Sequence, residues 1–182
     1  MGSDTVTSVR EAMLARCSWS KVTDDAPTHD QLVALVAAAG RVADHAGLAP
    51  WRLIELRGGD RERLGAAFTE VLGHDGSADK PLRAPLLIAI VSSTTAHPKV
   101  PDWEQEAVAA GVGHALSLLL DEAGYGVIWR TGPFTRAEPV ARLHGLGDNE
   151  KLLGWLYVGG KPDGAPVRRP VDAERCVTRL PD

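Results

Sequence analysis

Cysteine is almost missing from this chain. Cys17 and Cys176 are the only two, and they are too far apart for a CxxC pair or a zinc spacing. A disulfide framework and a structural zinc site are both excluded, and a reduced, cytoplasmic setting is expected. Long apolar runs are also missing. The best, Leu116 to Leu120, is stopped by Asp121 and Glu122, so no membrane span is expected. The opening Met-Gly-Ser-Asp-Thr-Val has no apolar signal region, and Val6 breaks the myristoylation pattern. There is no excess of positive charge: the formal net charge is −4, which argues against a general nucleic-acid or membrane-surface binder. No strand-like run leads into GxGxxG, and Walker A, GxSxG and HExxH do not occur. Each of those absences removes a class: dinucleotide fingerprint, P-loop, serine hydrolase and zincin. Low-complexity segments and repeats are absent as well.

What remains is a chain of globular composition. It has 182 residues, 44% of them apolar and 24% charged, enough for one domain with a useful core. Residues 5–16 read as a helix with Val6, Val9, Met13 and Leu14 near one face. Residues 28–40 read as a second, opened by Thr28 and Gln31 at capping-box spacing. Residues 42–50 form a loop. Trp51 to Arg57 reads as a strand, followed by a helix capped by Asp60 with Leu64, Ala67, Phe68, Val71 and Leu72 as its apolar stripe. Residues 73–80 are a polar, mobile loop. Leu86 to Val91 reads as a central strand covered on both faces. A long helix opens at Pro101 or Asp102 and stops at Gly124. Tyr125 to Arg130 is the next strand, Thr135 and Glu138 cap a short helix, and Leu152 to Val158 is the last strand. From Lys161 the chain is rich in Pro and Arg and reads as an extended arm. Taken alone, the alternation of strands and helices suggests a doubly wound parallel sheet, but no strand is followed by GxGxxG, so that reading is not adopted. Gly111-Val112-Gly113 falls inside the long helix and reads as a place of close helix packing.

Three clusters carry the chemistry. Trp129-Arg130-Thr131-Gly132 sits at a strand end: a planar guanidinium, a hydroxyl and a glycine that lets backbone approach suit a phosphate or a flat polar ring. Arg16-Cys17-Ser18, with Lys21, follows the first helix; macrodipole pairing with helix carbonyls is the plainer use of those cations, phosphate and ribityl contact the sharper one. Arg41, Asp44 and His45 lie in a loop, where His45 is a hydrogen-bonding or ring-contact residue and has no partners for a metal site. Glu104 and Glu106 point to different helix faces and read as a solvated helix start. No protein acid–base residue stands out.

These clusters stand in the order of a known family. Arg16-Cys17-Ser18-Trp19-Ser20-Lys21, Arg41-Val42-Ala43-Asp44-His45 with Pro50-Trp51, Arg83-Ala84-Pro85, Lys99 to Glu106, and Gly126 to Gly132 follow one another in register, with Leu152 to Gly160 fitting the last strand. Over most of residues 6–162 the chain resembles the flavin-dependent nitroreductases, in their short branch. The resemblance implies an α+β fold with a mixed, mostly antiparallel sheet flanked by helices. It implies one domain over 1–182, a C-terminal arm at 161–182, and a domain-embraced homodimer with FMN at the subunit interface. It also implies an FMN-dependent oxidoreductase that passes hydride from NAD(P)H to an electron-poor acceptor, a nitroaromatic or quinone. The residues matching the family's cofactor site are Arg16, Cys17, Ser18, Trp129, Arg130 and Thr131 from one subunit, with Arg41 and His45 from the other. Leu119 to Gly124 match a segment associated with the nicotinamide cofactor.

Cys17 and Lys21 depart from the family's arginines, and Thr131 replaces its serine. The missing cation motivates a second reading, a non-catalytic or weakly flavin-binding relative that binds or stores flavin.

Overall fold

The computed structural model describes residues 8–74, 76–164, 166 and 170–180. Its centre is a four-stranded sheet made of β1 (Trp51–Arg57), β2 (Leu86–Ser93), β3 (Tyr125–Arg130) and β4 (Glu150–Gly160), in the order β1-β2-β4-β3. Every strand pair is antiparallel. One parallel bridge, Ser18 to Val127, adds the N-terminal segment along the outer edge of β3 and makes the sheet mixed. The parallel sheet suggested by strand–helix alternation is thus corrected. A strand buried on both faces is continuously apolar whichever way its neighbours run, so the alternation carried no information on direction.

Helices cover both faces. Strand alternation sends Leu87, Ala89 and Val91 of β2, with Trp155 and Tyr157 of β4, to one side, where they meet Leu64 and Phe68 of α3 (Gly59–Leu72) and Val140 of α5 (Glu138–Leu143). Leu86, Ile88 and Ile90, with Leu156 and Val158, go to the other side. There they meet Leu32 of α2 (His29–Ala39) and Val112, Leu116 and Leu120 of α4 (Asp102–Glu122). Gly113 explains how close α4 lies to the sheet, since a Cβ there would stand 2.5 Å from Ile90 Cδ1 and 2.8 Å from the Trp129 ring. The Gly-Val-Gly element is a packing feature, as its helical context indicated. No helix among the described residues is long and apolar enough to cross a membrane.

Local chemistry sets the helix starts. Thr28 Oγ1 accepts from Gln31 N at 3.3 Å, and Gln31 Oε1 accepts from Thr28 N at 2.8 Å, closing the expected capping box of α2. Thr28→Ala should cost about 1 kcal/mol and lower the thermal midpoint by roughly 2–4 °C, measurable by calorimetry. The first helix, α1, spans Val9–Ala15 behind a Ser8–Glu11 capping box; residues 5–7 of the expected helix, Val6 among them, lie outside the described residues. Two other expected caps are corrected. Gly58, at φ 46°, precedes α3, and Asp60 sits in its first turn beside Arg63 at 3.3 Å. The Thr135 hydroxyl donates to Gly132 O at 2.8 Å, closing the 3-10 turn Pro133–Arg136, and α5 starts behind Ala137 without a side-chain cap. Of the stretch read as a polar loop, Ser77 is buried and the next residues form a 3-10 turn, Lys80–Arg83, with Pro81 inside.

Candidate functional site

The end of β3 opens into a cleft of about 580 Å³ on the α3 side of the sheet. Ile128 and Arg130 share a strand face and both line it, while Phe68, Phe134, Trp155 and Tyr157 form its aromatic walls. Phe68 and Phe134 stack with ring centres 4.1 Å apart, and Trp155 meets Phe68 edge-on at 5.6 Å. Three cations line the cleft, Lys80, Arg83 and Arg130, and no carboxylate does so among the described residues. Arg130 Cζ lies 5.2 Å from the centre of the Tyr157 ring, and Lys80 Nζ lies 5.0 Å from that of Phe134. Burial pushes the Tyr157 phenol up to about 12, with Arg130 and Arg83 pulling the other way. Its hydroxyl therefore keeps its proton at neutral pH and is a hydrogen-bond donor.

The backbone around Arg130 is shaped to hold it there. The β2–β4 register shifts at Ile90/Val91, and Gly154 of β4 takes φ 137°, a left-handed value that favours glycine. A Cβ at Gly154 would stand 2.5 Å from the Arg130 carbonyl oxygen. The shifted strand presents Leu153 O to the Trp129 indole Nε1, which donates to it at 3.3 Å. Trp129 borders the cleft, but its ring turns to the α4 side, 4.7 Å from the ring of His114. Thr131 is exposed at the cleft rim, followed by Gly132 at φ 120°.

The other sequence-derived residues lie elsewhere in the chain. Arg16, Cys17 and Ser18 run beside β3, held by the Ser18–Val127 bridge and by Trp19 N donating to Val127 O at 3.0 Å. Cys17 is 6% exposed and turned inward, whereas Arg16 is half-buried and Ser18 is exposed. Any contact from Cys17 to a ligand would be made by its backbone. Arg41 is exposed. His45 Nδ1 lies 2.8 Å from Glu104 Oε2, in a separate hollow of about 540 Å³ lined also by Val42, Asp44 and Trp103. One copy of the chain therefore gathers Trp129, Arg130 and Thr131 around one cleft, runs Arg16 to Ser18 along the adjoining strand, and keeps His45 apart from both. Glu104 is hydrogen-bonded to His45, and Glu106 forms an ion pair with Lys151, instead of facing solvent alone. Lys80, Phe134 and Tyr157 were not visible as site residues in the sequence. The one signal was Arg83, which opens the Arg-Ala-Pro element.

Two comparisons show the family, and a third shows the fold. The nitroreductase family model matches residues 13–160. YdjA of Escherichia coli (strain K12), a candidate NAD(P)H nitroreductase, is 34% identical over 157 residues, covering 82% of this chain and 86% of YdjA. A candidate NAD(P)H nitroreductase of Haemophilus influenzae is 26% identical over 180 residues, covering 92% and 97% of the two chains. Among solved structures, a nitroreductase-like protein from Bacillus cereus superimposes with a TM-score of 0.85 over 98% of this chain and 99% of its own, at 20% identity. NfnB, an FMN and NADPH-dependent nitroreductase from a Sphigopyxis strain, gives 0.74 over 94% and 98%, at 19% identity. The chain belongs to the nitroreductase family. It is an oxidoreductase enzyme with that family's α+β fold.

Proposed function

We propose that this oxidoreductase binds FMN and catalyses reduction of an electron-poor acceptor, a nitroaromatic or quinone, by NAD(P)H. The observation that carries the proposal is the cleft at the end of β3, where cations with no carboxylate partner among the described residues and aromatic rings surround a space sized for a small ligand. Arg130 Nε is buried without a hydrogen-bond partner. Buried polar groups are almost always paired, so this orphaned donor fits an anionic or carbonyl-bearing ligand such as FMN. When bound, FMN supplies the two-electron redox chemistry between nicotinamide and acceptor.

The chain's own residues bind, orient and shield. Arg16 and Ser18 hold phosphate and ribityl oxygens, with the Cys17 backbone between them. Trp129, Arg130 and Thr131 hold the cofactor along the strand end. Arg41 and His45 reach it from a second copy, and the nicotinamide binds near Leu119 to Gly124. Tyr157 keeps its proton and offers a hydrogen bond into the cleft. The net reaction moves a hydride from NAD(P)H and a proton from water to the acceptor. A quinone becomes a hydroquinone, or a nitro group becomes a nitroso group with loss of water.

The second copy is part of the proposal: a homodimer with the cofactor at the interface, each subunit one domain with an arm from residue 161, working in the cytoplasm. Large apolar side chains left on the surface support it, including Val9 at 75% exposed, Trp103 at 69%, and Val177 and Leu180 on the arm. Sedimentation equilibrium should give twice the chain mass at micromolar concentration; a monomer would remove Arg41 and His45 from the site.

An anaerobic absorbance spectrum tests the catalytic reading. Protein that is yellow and bleached by NADPH or NADH supports it. Colourless protein whose melting temperature does not rise with added FMN would favour the non-catalytic relative suggested by Cys17.

A further inference from the structure

The cleft holds more positive charge than the proposed cofactor residues account for. Arg52, Arg57, Arg63, Arg142, Lys151 and Lys161 each pair with a carboxylate. Lys80, Arg83 and Arg130 pair with none among the described residues. Other cations such as Lys21, Arg41 and Lys99 share that lack, but these three are gathered around one cleft that no described carboxylate lines, although the chain as a whole carries −4. Like charges gathered around one apolar space without counter-ions destabilise the empty protein, and they focus anions into that space.

Lys80 and Arg83 enter from a different wall than Arg130. They stand on the 3-10 turn Lys80–Arg83, anchored by buried Pro81 and by the close passage of Ala78 over Gly65, where a Cβ would lie 2.2 Å from the Ala78 carbonyl oxygen. Arg61 pins the turn from below, donating to Ala84 O at 2.7 Å. The turn is therefore a fixed platform that carries Lys80 over the Phe134 ring and Arg83 at the cleft wall.

We propose that Arg83, with Lys80, selects anionic aromatic acceptors, carboxylate-bearing nitroarenes or quinones, by pairing with the carboxylate while the ring lies against Phe134 and Tyr157. The inference rests on the oxidoreductase reading above and names the substrate class of that site. Arg83 provides a planar fork matched to a carboxylate, and Lys80 a point charge beside it. Tyr157 lines the same cleft as Arg83, with Arg130 over its ring at 5.2 Å.

The test compares 4-nitrobenzoate with 4-nitrobenzamide, a neutral molecule of nearly the same shape. The wild-type protein should prefer the anion in kcat/KM by about tenfold, the scale of one charge-assisted contact at a partly exposed site. That preference should fade as salt is raised from 0.02 to about 0.5 M. Arg83→Gln should abolish it, and Lys80→Gln should reduce it. Equal use of both acceptors by wild type at low salt overturns the proposal. So does an Arg83→Gln protein that loses FMN, read as the ratio of visible to ultraviolet absorbance, while keeping the anion preference; that result would make Arg83 a cofactor ligand. Calorimetric titration with 4-nitrobenzoate and the amide gives a readout independent of turnover. A protein never reduced by NAD(P)H defeats the oxidoreductase reading, while tighter binding of the anion, lost in Arg83→Gln, would still support the selectivity of the cleft.

Discussion

Arg130→Ala protein emerges from purification without its yellow colour. Arg130 is the central cation of the proposed cofactor site: it ends β3, lies over the Tyr157 ring, and buries a donor nitrogen that nothing among the described residues satisfies. In the empty protein that nitrogen costs free energy, because a buried donor without a partner forfeits its hydration. Removing it should leave the melting temperature of the flavin-free protein unchanged or slightly higher. In the loaded protein it accounts for a charge-assisted contact of about 1.5–3 kcal/mol, so FMN affinity should fall by roughly 10- to 150-fold. Arg130→Lys keeps the charge without the fork and should fall between. Fluorescence titration of the flavin measures the affinity, and scanning calorimetry of flavin-free protein measures the stability. The two readouts moving apart is the signature of a ligand-directed residue; a variant with full flavin content and wild-type NAD(P)H oxidation removes Arg130 from the site.

Arg130 was legible from sequence because its signal is local: an apolar run, then a cation, a hydroxyl and a glycine. The same holds for β2, whose run from Leu86 to Val91 is wholly buried, for α4, ended by Gly124, and for the Thr28–Gln31 box. What failed depended on contacts between distant segments. Strand direction is one case that the residues alone leave open and only the family resemblance gives correctly as mostly antiparallel, since antiparallel pairing of Leu86 with both Arg57 and Val158 leaves no mark on a strand buried on both faces. Lys80 and Arg83 are another. Their segment is polar and short, and its fixity comes from Ala78 crossing Gly65 and from Pro81 entering the core. Thr135 has capping-box spacing to Glu138, but Gly132 turns the chain so that its hydroxyl meets the Gly132 carbonyl first. Cys17 illustrates the opposite error. Sequence registers a lost cation, whereas the fold turns that side chain inward, between half-buried Arg16 and exposed Ser18.

Acid should lower the protein's stability over two separable pH ranges, because two groups in contact with β4 are held away from their ordinary titration ranges. His144 is buried between α5 and the sheet: its Nδ1 lies 2.8 Å from Val140 O, and its Nε2 accepts from Trp155 Nε1 at 3.0 Å. That arrangement needs a neutral ring protonated on Nδ1. Burial, with Arg52 nearby, lowers its pKa below the usual 6.5. Below pH 6.5 the unfolded chain therefore binds a proton that the folded chain refuses, and stability falls as pH drops through that range. Glu150 acts lower down. Arg52 donates to both its oxygens, at 2.6 and 2.7 Å, and Gly147 N adds a third bond at 3.1 Å. These bonds, the Arg52 pair first, hold its pKa at about 2 against an ordinary 4.5. Its contribution is present above pH 4.5 and is lost between there and pH 2. The full shift corresponds to roughly 3 kcal/mol, reduced to about 2 because Arg52 is 38% exposed and screened by solvent. Urea midpoints followed from pH 8 to 2.5 should show both declines, with Glu150→Gln removing the lower and His144→Gln the upper. The upper stage also reaches the cleft. Protonating His144 takes away the acceptor that holds the Trp155 indole, and Trp155 is a wall of the proposed site. FMN affinity should therefore weaken on acidification before any global unfolding, and an affinity that stays flat while the urea midpoint falls would show that the wall holds without His144.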